Sequence, residues 1–455
     1  MGGKTIVRDL TSGSVAGQLL WFGMPLFFSG LLQTTYNMVD MMVVGHYIGK
    51  NGLSAVSVAG EVLNFLTFVA MGLSNAGQII LAQYVGAGRK ADIGKIIGTL
   101  FSVLLLCSAA LTALCIALRG PILAWLNTPL EIWDEAWDYL TVCCAGLIFT
   151  YGYNLLSAIL RGLGDSKHPL LFIAIASLCN VVLDLFFIAG LHMGVEGAAL
   201  ATVIGQAVSV LYAMLFLLTR REKIGFSISP GDFRVDGVQL ASLIRLGVPM
   251  MLQTAAVTFS KLVITVWINP FGSVVLSVTA IGNKVITLTN VFSQAFSTAG
   301  GAMIAQSIGA EKYSRVPRMI GIALAMDLAI AAVFAWVTLA APEAVFGLFT
   351  SDAQVLSMAR VFLGPAVLLY LGCGIRPPMS ALINGSGNAR LNLAVALLDG
   401  IVARIALAYI LCFSLGWGYL GCWYGNAIAG TVPFFLGGAY FLSGKWRTRR
   451  YLIKD

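Results

Sequence analysis

The chain has 455 residues, of which 58% are hydrophobic and only 11% are charged, and its mean hydropathy is +0.88. Water-soluble domains carry about 25% charged residues, so this composition excludes a soluble globule and predicts an integral membrane protein. Lysine and arginine number 28 against 20 acidic residues, which leaves a net charge of +8 to be explained by topology or partners.

Apolar stretches follow one another along almost the whole chain. Each is long enough for a transmembrane helix, which needs about 20 apolar residues to cross a bilayer. The polar leader 1–17 is not expected to be a secretory signal, because the apolar run after it exceeds the about 7–15 residues of a signal core. The predicted fold class is all-α integral membrane, with twelve transmembrane helices in two six-helix repeats. In chain order the predicted helices are 18–46, 52–81, 93–118, 134–157, 169–190, 195–219, 242–270, 274–306, 318–340, 352–383, 392–414 and 420–443.

Positive charges fall mostly on one side of the predicted membrane, where loops hold 21 of the 28 lysine and arginine residues. The positive-inside rule therefore predicts that both termini are cytoplasmic. The basic tail 445–454 is expected to contact lipid headgroups and not nucleic acid. The predicted location is the plasma membrane, which is the inner membrane of a bacterium.

A repeat at an offset of 223 to 224 residues divides the chain into two halves. Pro25 returns as Pro249, and the segment 82–87 (AQYVGA) returns as 305–310 (AQSIGA). Six helices in each half give both halves the same orientation, so we predict parallel repeats with substrate passing between them. The predicted boundaries are an N-terminal bundle at 1–219, a cytoplasmic linker at 220–241 and a C-terminal bundle with a basic tail at 242–455.

Ionisable side chains inside a bilayer cost about 2.5–3.5 kcal/mol each, so each one is a candidate for function. Asp40 and Asp184 both lie about six residues inside the outer end of their helices, or roughly 9 Å below it, and Thr202 lies at a similar depth. No buried lysine or arginine is expected within the first six predicted helices, so neither acid is expected to have an ion-pair partner there.

Further polar side chains follow the acids at helical spacings of three and four residues. Carboxylate, amide and hydroxyl oxygens are suitable ligands for sodium, and a pair of carboxyl groups can equally hold a proton. Either ion can couple transport. The predicted cation site comprises Asp40, Asn180, Asp184 and Thr202, with a supporting polar face of Tyr36, Asn37, Ser177 and Gln206.

The second half lacks these acids, since the repeat aligns Asn37 with Lys261 and Asn180 with Arg404. We expect such buried cations, together with Lys284, to pair with Asp399 and Asp327; the alternative is contact with an anionic substrate group. Pro25 removes a backbone hydrogen bond and predicts a bend in the first helix. The possible substrate cavity comprises Gln33, Glu61, Lys261 and Arg404.

Several motifs together resemble the multidrug and toxic compound extrusion (MATE) family, in its bacterial DinF-like branch, over essentially the whole chain. They are YNMVD at 36–40, AQYVGAG at 82–88, ILRGLGDS at 159–166, NVVLD at 180–184 and GAALAT at 197–202. The resemblance implies antiport of organic, usually cationic, compounds against sodium or protons. It also implies an ion site at Asp40, Asn180, Asp184 and Thr202. A monomer without enzyme activity or cofactor is expected, with a small-molecule substrate and membrane lipids as its partners.

Two other classes share part of this pattern. A lipid-linked precursor flippase of the same superfamily would have the same architecture and use the buried cations on a phosphate headgroup. A membrane-embedded prenyltransferase could hold magnesium at Asn180 and Asp184, but it would need a second aspartate-rich motif that the sequence lacks.

Overall fold

The computed structural model describes residues 7–219 and 230–448, and these residues are almost entirely helical. No strand occurs within those two ranges. Ten of their helices are long and apolar enough to cross a membrane, and one bent pair of shorter helices adds an eleventh span. The all-α membrane class predicted from composition is therefore confirmed.

Twelve helical segments follow in chain order, numbered α1 to α12; the first eleven are the spans just counted, and α12 consists of two shorter helices. In the first half they are α1 Val15–Tyr47, α2 Lys50–Gly86, α3 Lys90–Trp125, α4 Trp133–Ala145 with Leu147–Gly162, α5 Lys167–Gly190 and α6 Gly194–Thr219. In the second half they are α7 Gly237–Ile268, α8 Ser273–Gly309, α9 Arg315–Ala340, α10 Ala353–Gly385, α11 Ala389–Ser414 and α12 Tyr419–Ala429 with Val432–Leu442.

Several of these helical segments are irregular, among them α4, α5 and α12. The two parts of α4 meet at Gly146 with a bend of 46°, and glycine is a poor helix former. The two parts of α12 are separated by Gly430 and Thr431, just before Pro433, which has no N–H to continue the helical hydrogen bonds. α5 ends in π-helical turns at Leu185–Gly190, directly after Asp184.

The structure contains two compact units, and each combines segments from both halves of the sequence. The first unit spans Met1–Asp9 and Phe28–Val248, and the second spans Leu10–Phe27 and Pro249–Asp455, as far as their residues are described. α1 and α7 therefore each contribute to both units.

Both crossings fall beside a proline inside a helix, at Pro25 in α1 and at Pro249 in α7. Contacts thus divide the chain differently from the predicted boundaries, because long helices continue from one unit into the other. The predicted linker 220–241 is also too long at its end, since α7 begins at Gly237; its residues 220–229 lie outside the described part of the chain.

Close backbone contact between α11 and α12 holds the end of the second unit together. A Cβ atom at Gly425 would lie 2.4 Å from the Ala408 backbone, and one at Gly421 would lie 2.4 Å from the Cys412 nitrogen. Only glycine permits such an approach of two membrane helices.

We expect Gly425→Ala to destabilise the protein by about 1–3 kcal/mol, since its methyl group would overlap the α11 backbone. The matched control is Gly438→Ala in the second part of α12, where a Cβ atom has nothing within 4 Å. Thermal unfolding of the purified proteins measures both effects. Equal stability of Gly425→Ala and the wild type would contradict this packing.

Candidate cation site

The site begins with the close packing of α5 against α6. A Cβ atom at Gly205 would lie 2.9 Å from the Ala176 carbonyl oxygen and 3.4 Å from the Asn180 Cβ. Glycine at this position lets the two helices meet at backbone distance. Thr202, one turn earlier on the same face of α6, is thereby placed opposite Asn180.

The side-chain amide of Asn180 connects the two helices. In the orientation that satisfies both neighbours, its nitrogen donates to Asp184 Oδ2 at 3.2 Å, and its oxygen accepts from the Thr202 hydroxyl at 3.2 Å and backbone nitrogen at 3.3 Å. Asp184 is fully buried and Asn180 is 3% exposed. Three of the four predicted cation-binding residues therefore form one hydrogen-bonded group.

Asp40 of α1 completes this group. Its carboxyl group and that of Asp184 are close enough to share a hydrogen bond when one of them carries a proton. Two negative charges at this separation would repel, so the pair favours a shared proton or a bound cation. The structure thus brings together all four residues that the sequence predicted.

Several oxygen atoms of the site have no hydrogen-bond partner among the described residues, although they are inaccessible to solvent. They are Asp40 Oδ1, Asp184 Oδ1, Ser177 Oγ and Gln206 Oε1. An unsatisfied buried polar group costs about 1–3 kcal/mol. Because most of these atoms are acceptors, a small hard cation or a proton is what they lack. We define the cation site as Asp40, Asn180, Asp184 and Thr202. Ser177 and Gln206 each lie about one helical turn from a member of the site, on α5 and α6.

The other predicted members of the polar face have separate surroundings. Tyr36 lies near Gln33, Asp40 and Tyr153. The side chains of Gln33 and Asn37 are exposed. Glu61 is exposed on α2, and its side chain makes no hydrogen bond or ion pair with the part of the chain that the structure describes.

Two residues near the site were not predicted. Tyr139 and Cys143, one turn apart on the first part of α4, are buried and contact each other. Tyr139 lies within electrostatic range of both Asp40 and Asp184, and Cys143 within range of Asp40. Their spacing of four residues inside an apolar helix was the available signal.

Arg161 is a half-buried cation within the first six helices, where no buried lysine or arginine was expected. α4 runs to Gly162, beyond its predicted end, and therefore includes Arg161. Its Nε donates to Gln78 Oε1 at 2.7 Å and its Nη2 to Asn75 Oδ1 at 3.4 Å. These acceptors are neutral amides, so the guanidinium group does not neutralise the acids of the site.

In the second unit, the expected pairing of buried charges is only partly correct. Arg404 Nη2 and Asp399 Oδ1 form an ion pair of 2.7 Å, and both residues are buried. Asp327 is also buried, but neither of its carboxylate oxygens has a partner among the described residues. Lys261 and Lys284 are exposed and take part in no ion pair within those ranges. The predicted ion pairs of these lysines with Asp399 and Asp327 are therefore not formed in this structure.

Comparison with known proteins identifies the family. The family model MatE matches residues 25–186 and again residues 249–410. These matches cover more than half of the chain, so the chain belongs to the MATE family of membrane transporters and is not an enzyme. Their starting points, Pro25 and Pro249, are the pair found in the sequence repeat, which confirms the two-repeat architecture.

One relative and two solved structures illustrate the similarity. The chain is 33% identical over 310 residues to the probable multidrug resistance protein YpnP of Bacillus subtilis (strain 168), which covers 68% of each chain. It also matches crystal structures of MATE in a straight and a bent conformation, with TM-scores of 0.89 and 0.86 at 22% identity. These matches cover 97% of this chain and 100% and 99% of those chains. At this identity they show the fold alone.

We expect Asp399→Asn to destabilise the protein by about 3–5 kcal/mol, because it leaves the buried Arg404 charge unpaired. Asp327→Asn is the matched control, since Asp327 is equally buried but has no such partner in the described residues. Thermal or denaturant unfolding should show that only Asp399→Asn weakens the protein. An equal loss in both variants would mean that burial, and not the ion pair, determines the effect.

Proposed function

We propose that this transporter exports amphipathic organic compounds by antiport with sodium ions or protons through alternating access. The coupling ion binds at Asp40, Asn180, Asp184 and Thr202. The single observation that supports this assignment is the set of buried, unpaired oxygens around two neighbouring carboxyl groups. Relatives named as multidrug resistance proteins support drug efflux as the direction of transport.

Coupling follows from the position of Asp40. Its helix, α1, begins in the second compact unit and enters the first unit at Phe28, so an event at Asp40 acts on a helix shared by both units. A cation that relieves the repulsion between Asp40 and Asp184 favours conformations that bring the two carboxyl groups together. An ion can shift a conformational equilibrium only by its differential affinity for the two states, and this site supplies such a difference.

Pro25 gives α1 a point at which to change shape. It lacks the N–H that would close the helical hydrogen bond, and it lies three residues before the crossing between the units. MATE structures of the same fold have been solved in conformations named straight and bent. We propose that α1 alternates in the same way as the cation binds and leaves.

The remaining parts of the proposal concern the cellular setting. We propose a monomer in the inner membrane of a bacterium, with both termini in the cytoplasm, because basic residues dominate the loops on one side. Placement in the DinF-like branch of the family stays a prediction from the first-half motifs.

We expect Asp40→Asn and Asp184→Asn to reduce gradient-driven transport to the rate seen without a gradient, because a neutral amide cannot exchange a charge with the coupling ion. The measurement is dye transport in reconstituted vesicles, with sodium and pH gradients imposed separately and with dyes of both charge signs. Glu61→Gln, which removes an exposed acid from α2, serves as the control and should transport normally. Undiminished coupled transport in both Asn variants would overturn the cation-site assignment.

We expect Pro25→Ala to weaken coupled export more than ion binding, because it restores the backbone hydrogen bond in α1 and leaves Asp40 in place. Pro121→Ala, which replaces another proline inside a helix but away from the crossings, is the control. Ion affinity and export are measured in the same preparations. Full export at the normal ion stoichiometry in Pro25→Ala would show that the bend is incidental.

A further inference from the structure

We propose that the second unit binds the negatively charged group of an amphipathic organic anion, with Lys261 as its principal contact. This inference names the substrate class of the proposed exporter and therefore rests on the proposed function. It replaces the cationic compounds that the family resemblance implied.

Lys261 lines a small recess in the second unit, with a cavity volume of about 30 Å³. One part of its wall is polar and the other is aromatic and apolar. The lining includes Lys261, Thr279, Asn283, Phe362, Trp423 and Asn426.

Positive charge exceeds negative charge around this recess. Lys261 lies within electrostatic range of Arg376, Arg404 and Asp399. Asp399 already pairs with Arg404, and within the described residues Arg376 Nη2 donates to the neutral Asn290 Oδ1 alone, at 3.4 Å. Lys261, Arg376 and Arg404 carry three positive charges, whereas Asp399 and Asp327 carry at most two negative charges. At least one positive charge therefore remains uncompensated.

Arg404 belongs to the wall behind the recess. Its Nη1 donates to both the side-chain oxygen and the backbone oxygen of Asn426, and Asn426 lines the recess. Arg404 is 3% exposed, and its Nε has no partner among the described residues. Arg404 therefore fixes Asn426 and contributes positive potential, while the flexible Lys261 ammonium group is free to reach a ligand.

An uncompensated cation within a bilayer is costly, and such residues usually serve transport or pair with a ligand. A carboxylate, sulfonate or phosphate group on the occupant would supply the missing charge. The aromatic wall accounts for the rest of the molecule: Phe362 and Trp423 meet edge to face at 5.1 Å, and Trp423 Nε1 is held by Thr279 Oγ1 at 2.8 Å. Such rings favour an aromatic or acyl body.

The internal repeat gives independent support. At an offset of 224 residues, Lys261 of α7 corresponds to Asn37 of α1, three residues before Asp40. The position next to Asp40 on the helix is therefore neutral in the first repeat and positively charged in the second. The first unit would then bind the coupling cation, and the second unit would bind the substrate anion.

The test compares 1-naphthalenesulfonate with 1-naphthylmethylammonium, which share the ring and differ in the sign of charge. Binding to the purified full-length protein in a neutral detergent is measured by calorimetry. We expect the sulfonate to bind about tenfold or more tightly than the ammonium compound, and Lys261→Gln to remove this preference. Lys261→Arg should keep it, since the charge remains. Lys284→Gln, which removes an exposed lysine of the same unit that does not line the recess, should also keep it.

A third probe distinguishes a soluble anion from a lipid headgroup. Lysophosphatidylglycerol should displace the sulfonate only if the recess also accepts phosphate headgroups. Uncharged dodecyl maltoside serves as the reference. Displacement indicates that a lipid can supply the anionic group, and absence of displacement indicates a soluble anion. Equal binding of the two naphthalene probes, or normal sulfonate preference in Lys261→Gln, would overturn the proposal. Asp184→Asn should keep the preference for the sulfonate over the ammonium compound and lose gradient-driven transport, so failure of the anion site and failure of the coupling site are distinguishable.

Discussion

The cost of leaving a polar group unpaired inside a bilayer is the constraint on which the rest of this structure depends. Several polar groups of the described chain satisfy it at least in part: Arg404 pairs with Asp399 and donates to Asn426, and Arg161 donates to two amide oxygens. Exceptions are therefore informative. The carboxyl groups of Asp40 and Asp184 each keep an oxygen without a partner at the place where α1, α5 and α6 supply further oxygens. We propose a mobile cation as the partner of this site.

Duplication supplies a scaffold on which the two units have diverged in charge. The family model matches each half, and the prolines of α1 and α7 occupy equivalent positions. Where the first repeat has Asn37 and Asn180 beside its acids, the second has Lys261 and Arg404. Opposite charges in the two units allow ion and substrate to be bound by different chemistry while the same helices, α1 and α7, belong to both units.

Periodicity and composition were sufficient to predict the helical membrane fold. Apolar runs report lipid exposure directly, and a spacing of four residues placed Asn180 and Asp184 on one face. Neither property shows where a helix passes from one compact unit into the other. The division of α1 and α7 between the two units could therefore not be predicted. Arg161 was assigned to a loop because charged residues usually end a span, whereas Asn75 and Gln78 of α2 allow α4 to extend past it. Tyr139 and Cys143 were missed because they resemble ordinary core residues until the neighbouring helices are in place.

The central claim is that the first unit holds the coupling cation, and equilibrium ion binding tests it most directly. Radioactive sodium binding and proton release by the purified protein should be measured together for the wild type, Asp184→Asn and Lys261→Gln. The account predicts about one coupling cation per wild-type chain, bound as sodium or exchanged as a proton. It also predicts loss of that cation in Asp184→Asn and its retention in Lys261→Gln. An unchanged stoichiometry in Asp184→Asn would place the coupling ion elsewhere and contradict the account.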